Sequence, residues 1–222
     1  MMLSSNNLPK YINDRWDILS EFVQEVCSSR DKSHGWEHMK IVAEMSQMIV
    51  ENDYKDEPEC VYNQLMLDSI TVAWLHDVAD HKYDKDGNLH YNMLKWGYAN
   101  IGGFQNIVET IKLVSFSSEN KAILAGKPID YDKILGKHYA KVRHIVSDAD
   151  KLEAIGLIGM ERAIGYTRHA NPGYSEEQII ADVKKHADEK LLRLAGEFIR
   201  TRTGKQIAKI RHDEMKSKLD SL

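Results

Sequence analysis

The sequence predicts an all-α fold built as a single helical bundle. Apolar residues recur at three- and four-residue spacing along most of the chain, and no stretch alternates long enough to demand a sheet. One segment, Val61 to Val78, is apolar on nearly all sides between Leu65 and Leu75, the pattern of a helix at the centre of a bundle. A chain of 222 residues can bury roughly 70% of its unfolded surface, so no metal or disulfide is needed merely to hold a core. No repeat, low-complexity tract or composition break marks a linker, so 1–222 reads as one domain.

Tyr11 to Ser28 opens the bundle with Ile12, Trp16, Leu19, Phe22, Val23 and Val26 at helical spacing. Glu37 to Glu51 repeats the pattern with Ile41, Val42, Met45, Met48 and Ile49. The central helix Val61 to Val78 follows, then a polar, glycine-containing segment from His81 to Leu89. Ile101 to Ser115 places Ile107, Ile111 and Val114 on one side of another helix. Ser117 to Gly136, with Gly126, Pro128 and Gly136, reads as a loop, either a lid or a plain surface connection. Lys137 to Ile164 reads as one long helix. After Asn171-Pro172-Gly173, the Ser175…Gln178 spacing is that of a capping box opening a last long helix. Its stripe is Ile179, Val183, Ala187, Leu191, Ala195 and Phe198. From Lys205 the chain is highly charged with sparse apolar residues (Ile207, Ile210, Leu219), an exposed helix or a frayed end.

Composition narrows the function classes. With 30 basic and 34 acidic residues the net charge is −4, which gives no broad basic surface for a nucleic-acid backbone. Two cysteines, Cys27 and Cys60, are too few for a secreted disulfide scaffold and fit reduced thiols in a cytoplasmic or nuclear compartment, the cytoplasm being the expected location. The N-terminal residues lack a secretory signal pattern, and Leu65 to Leu75 is too short to span a bilayer. Trp36, Trp74 and Trp96 are expected in the core, given the area an aromatic ring buries.

Three polar clusters interrupt this ordinary pattern: His34-Gly35-Trp36-Glu37-His38, His76-Asp77-Val78-Ala79-Asp80-His81 and Asp148-Ala149-Asp150-Lys151. His76 and Asp77 come directly after the most apolar stretch of the chain. Burying a polar group there without a partner costs about 2–7 kcal/mol, and a charge costs more. Water, a salt bridge or a metal must therefore satisfy them. Neighbours on a helix diverge by about 100°, so the two can hold one ion between them. Imidazole nitrogen with carboxylate oxygen is ligand chemistry for divalent transition metals.

The ordered set resembles the HD-domain superfamily of metal-dependent phosphohydrolases. His38 with Val42 and Ala43 is similar to the family's first histidine helix, Ala73-Trp74-Leu75-His76-Asp77 to its His-Asp doublet, and Asp150 to its later aspartate. The longer strings Ser33-His34-Gly35-x-x-His38 and Ser147-Asp148-Ala149-Asp150-Lys151-Leu152-Glu153-Ala154-Ile155-Gly156 resemble a branch of small single-domain hydrolases associated with nucleotides. The resemblance covers roughly residues 30–165, leaving the helices of 175–222 packed on that core or partly exposed. It implies His38, His76, Asp77 and Asp150 as metal ligands. Asp148 competes for the fourth place, but two residues on a helix lie about 200° apart, so both do not reach one ion. The family pattern of an aspartate followed by a basic and then an apolar residue favours Asp150 and leaves Asp148 a supporting or capping role.

Four protein ligands with open positions suit manganese best, with Co, Ni, Fe, Mg or Zn as alternatives. The implied reaction is hydrolysis of a small-molecule nucleotide by a metal-activated water attacking phosphorus, with (deoxy)nucleoside triphosphate pyrophosphohydrolase activity as the specific form. A nucleoside monophosphate phosphatase or a phosphodiesterase would use the same site, and a sensing or scaffold module would use the fold without catalysis. Asp80, one methylene shorter than the usual glutamate, takes the position that orients or deprotonates the water, or else is a solvated acid at a helix end. For His34, phosphate contact, proton donation to the leaving group and packing all remain open. Lys151, Arg162 and Arg168 suit polyphosphate oxygens. No nucleic-acid or membrane partner is expected, and a homodimer is left open.

Overall fold

The computed structural model describes residues 8–30 and 35–222 and is all-α, with no strand among the described residues. The chain divides into two compact units, one ending at Val146 and the other running from Ser147 to Leu222. In the first, α1 (Lys10–Val26), α2 (Trp36–Asp53) and α3 (Glu59–Leu75) pack on one another. α3 is the centre, as its apolar pattern predicts: Leu65, Met66, Ile70, Val72, Ala73, Trp74 and Leu75 are all buried. Ile12, Leu19 and Val23 of α1 and Met39, Val42, Ala43, Ile49 and Val50 of α2 are buried with them. The Trp74 ring packs edge-on against Trp16, with centroids 5.3 Å apart, and tilted against Trp36 at 6.1 Å. Trp96 stacks on Phe22 at 4.4 Å. The tryptophans therefore serve packing, Trp74 fully buried and the other three half-buried.

Several boundaries differ from expectation for identifiable reasons. The central helix ends at Leu75, with His76 as its C-cap, so the His76-Asp77 pair stands in the turn that leaves α3. The polar segment after it ends in an additional helix, α4 (Asn88–Asn100), which fully buries only Met93 and Gly97, with Leu89 and Trp96 half-buried. Asp84 caps it, accepting hydrogen bonds from the amides of Leu89 and His90 at 2.8 Å each. The next helix is shorter than predicted, α5 (Phe104–Ile111). The stretch expected to be a loop or lid instead contains α6 (Phe116–Leu124). Its Glu119 is buried against Arg143 at 2.8 Å, an ion pair that fixes α6 in place. Arg143 also donates to the Leu113 carbonyl and lies over the Tyr131 ring at 4.0 Å.

The predicted long helix is divided. α7 (Tyr131–Glu153) departs from helical geometry at Gly136 (φ 74°, ψ 158°), so its regular part begins at Lys137 as expected. It stops at Glu153, and α8 (Gly156–Ala170) starts anew. Gly156 has φ +86°, a conformation in which a Cβ is strained, and the chain turns there rather than continuing.

In the second unit, α9 (Glu176–His186) carries the expected capping box, with Ser175 Oγ accepting from the Gln178 amide at 3.3 Å. Its continuation widens into two π-helical turns, Ala187–Leu191 and Leu194–Phe198, in which Leu194 is buried while Ala195 is only half-buried. The charged tail is neither frayed nor wholly exposed. It forms α10 (Arg202–Asp220), which packs against α8 and buries Ala208, Met215 and Leu219.

Candidate metal centre

His38 stands in the first turn of α2, whose N-cap is Gly35, and His76 closes α3. The packing of α2 on α3 brings these two helix ends together. His38 Nε2 and His76 Nε2 lie 3.3 Å apart. Asp77 Oδ2 is 3.6 Å from the first nitrogen, and its Oδ1 is 3.7 Å from the second. These carboxylate distances are too long for hydrogen bonds. The two imidazoles are 5% and 3% exposed, whereas the Asp77 side chain is 25% exposed, so the cluster opens to solvent on the carboxylate side.

One contact sets the chemistry of this cluster. His76 Nδ1 lies 2.7 Å from the Ala73 carbonyl, which can only accept, so Nδ1 carries the proton. In the neutral ring Nε2 then presents a lone pair toward His38 and Asp77, the arrangement by which a backbone carbonyl orients a ligating histidine. Two atoms bound to one cation at about 2.1 Å are separated by about 3.0–3.4 Å in octahedral or tetrahedral geometry. The observed 3.3–3.7 Å needs only a small contraction to meet that. Histidine and carboxylate donors at this spacing fit a divalent metal, and these three are the residues that form such a group among the described residues.

The turn that carries the doublet is held by a residue the sequence did not flag. Arg30 donates from Nη1 to the Asp77 carbonyl at 2.7 Å and from Nη2 to the Val78 carbonyl at 2.5 Å. A lone arginine just beyond a helix leaves no pattern in one sequence. Asp80 lies beyond the same turn, where its Oδ1 accepts from the Lys82 amide at 2.8 Å, and its side chain is 18% exposed. His34 lies outside the described residues.

The remaining sequence candidates belong to the second unit. Asp148 is fully buried and holds the start of α10, accepting from the Thr201 amide at 2.6 Å, Thr201 Oγ1 at 2.8 Å and the Arg200 amide at 2.9 Å. Burial pushes its carboxyl above the ordinary aspartate value, with Thr201, Arg200 and Lys151 opposing. Asp148 thus holds the residues that lead into α10, and Asp150 is half-buried two positions on. Lys151 is buried, with Nζ on Ser147 Oγ. Arg162 pairs with Glu153 at 2.9 Å, and Arg168 forks onto Glu176 at the surface.

No family model matches the chain. YpgQ of Bacillus subtilis (strain 168) is 28% identical over 199 residues, which cover 87% of this chain and 85% of that protein. The crystal structure of YpgQ in complex with ADP matches with a TM-score of 0.63 at 22% identity, over 95% of this chain and 94% of the other. A Lactobacillus plantarum structure matches with a TM-score of 0.68 at 21% identity over 94% of each chain. An HD-superfamily hydrolase from Bacillus thuringiensis matches with a TM-score of 0.59 at 22% identity over 95% of each. The chain has the HD-domain fold.

Proposed function

From that fold and its histidine–aspartate cluster, we propose that the chain is a metal-dependent phosphohydrolase acting on a nucleotide. The observation that carries the reading is the convergence of His38 Nε2, His76 Nε2 and the Asp77 carboxylate at 3.3–3.7 Å. The ADP bound in the related YpgQ structure supports a nucleotide ligand. Asp150 is the fourth metal ligand on sequence grounds, a choice supported by the bonds that Asp148 makes to Thr201 and Arg200. A divalent ion held here, manganese by preference, would supply Lewis acidity toward a phosphate oxygen and acidify a water. Ala73 keeps the His76 lone pair aimed inward. Asp80, fixed through the Lys82 amide, orients the attacking water. His34 is retained on sequence grounds as a candidate for phosphate contact or proton donation to the leaving group. Phosphate contact by Lys151, Arg162 and Arg168 requires each to exchange its present partner for a substrate oxygen. Both cysteines are free, which fits a reducing cytoplasm.

Within this reading the specific activity is cleavage of (deoxy)nucleoside triphosphates to the monophosphate and pyrophosphate. The test is incubation of purified protein with Mn²⁺ and a nucleotide panel, followed by identification of the released species. Pyrophosphate is the expected product. Orthophosphate or inorganic triphosphate would redirect the bond assignment, and no release of any species, with His76→Ala indistinguishable from wild type, would overturn the reading.

A further inference from the structure

We propose that Arg30 is a positioning residue for the metal centre, setting the backbone from which His76, Asp77 and Asp80 project. The proposal rests on the metal-binding reading above. α3 ends at Leu75, and in the turn beyond it the Asp77 carbonyl accepts from the Asp80 amide at 3.1 Å. The helix C-terminus is electronegative where the Asp77 carboxylate adds a further charge, and the Arg30 guanidinium brings a positive charge and two donors to that turn. Its two terminal nitrogens donate separately to the consecutive carbonyls of Asp77 and Val78, which orients two adjacent peptide planes and so the direction in which the Asp77 side chain leaves the backbone. Val78, buried in the core, anchors the far end of the same turn.

Arg30 is itself held at two further points, one on its guanidinium and one on its backbone. The guanidinium carbon lies 4.6 Å from the centroid of the Tyr83 ring, and the Tyr83 amide donates to the Asp80 carbonyl at 2.9 Å. The Arg30 amide donates to the carbonyl of Cys27, a buried residue at the C-cap of α1. Arg30 therefore links the end of α1, the doublet turn and the segment that carries Asp80. The planar fork matters here: it sets two donors on separate nitrogens in one plane, whereas a lysine ammonium directs all its donors from a single nitrogen.

The test compares wild type, Arg30→Gln and Arg30→Lys by Mn²⁺ affinity, by the visible absorption of bound Co²⁺, which reports ligand geometry, and by the metal-free melting temperature and far-ultraviolet circular dichroism. Loss of an outer hydrogen-bond partner of a metal ligand typically costs about 10–100-fold in affinity. The expected result is a weakening of that size in Arg30→Gln with an altered Co²⁺ spectrum, and an intermediate effect in Arg30→Lys, both with wild-type helicity. A general loosening of the fold would lower the melting temperature without changing the spectrum of the Co²⁺ that still binds, and that result overturns the proposal. Wild-type affinity and spectrum in Arg30→Gln overturn it too, while the metal-binding reading stands. If wild type itself binds neither ion, the metal-binding reading falls and the proposal with it. Should Arg30→Gln lose helicity, Arg30→Lys decides by the same criterion, with wild-type affinity and spectrum again overturning the proposal.

Discussion

The proton on His76 Nδ1 points at the Ala73 carbonyl 2.7 Å away, which leaves Nε2 facing its counterpart on His38 at 3.3 Å. Two imidazole nitrogens at that distance, beside a carboxylate, bring three candidate ligand groups to one point. His76→Ala removes one ligand and the orientation of the set. Its Mn²⁺ affinity should fall by more than the roughly 100-fold upper range for outer-partner losses. Isothermal titration of wild type and variant with Mn²⁺ measures this, and equal affinities would contradict the ligand assignment.

Binding at such a site adds to folding stability, because the unfolded chain holds no equivalent arrangement. At a Mn²⁺ concentration 100 times its dissociation constant the gain is about 2.7 kcal/mol. For a protein of this size that corresponds to a rise of about 5–10 °C in the melting temperature. Thermal melts with excess Mn²⁺ and with excess chelator should differ by this amount, and His76→Ala should show no such difference.

The Glu119–Arg143 pair makes a separate, purely structural prediction. Arg143 has no exposed surface and Glu119 only 3%. Truncating one member of a buried pair leaves the other charge without compensation, at a cost of about 3–5 kcal/mol. Glu119→Ala should therefore lose stability on that scale in urea denaturation. The double variant Glu119→Ala with Arg143→Met should recover a measurable part of it, because the stranded guanidinium is gone.

How much of this was legible in the sequence depended on how far each contact reaches along the chain. The burial of α3 was legible because its apolar residues cover every side of one continuous segment. The doublet was legible because a histidine and an aspartate directly after that segment demand compensation. α4 was not, since its apolar stripe is short, Leu89, Met93 and Trp96, and is set among polar residues in a helix that fully buries only Met93 and Gly97. The helix within the supposed lid was hidden for a related reason: what fixes α6 is an ion pair between Glu119 and Arg143, 24 positions apart. Arg30 reaches across 47 and 48 residues to the carbonyls it holds, and backbone acceptors carry no side-chain signature at all.

Asp148 and Asp150 can be told apart by what each loses on mutation. The Asp148 carboxylate accepts from the Thr201 amide and hydroxyl and from the Arg200 amide, in a place without solvent access. Asp148→Ala strands these donors at the start of α10. A single buried donor left without a partner costs about 1–3 kcal/mol, so the loss here should reach about 2–4 kcal/mol. Asp150 is only half-buried, and replacing it by alanine should cost far less stability. If Asp150 is the metal aspartate, Asp150→Ala should instead abolish most of the Mn²⁺-dependent rise in melting temperature while leaving the metal-free melt close to wild type. Asp148→Ala should do the reverse, lowering the metal-free melt and retaining a metal-dependent rise. The opposite pairing of outcomes would move the ligand assignment to Asp148.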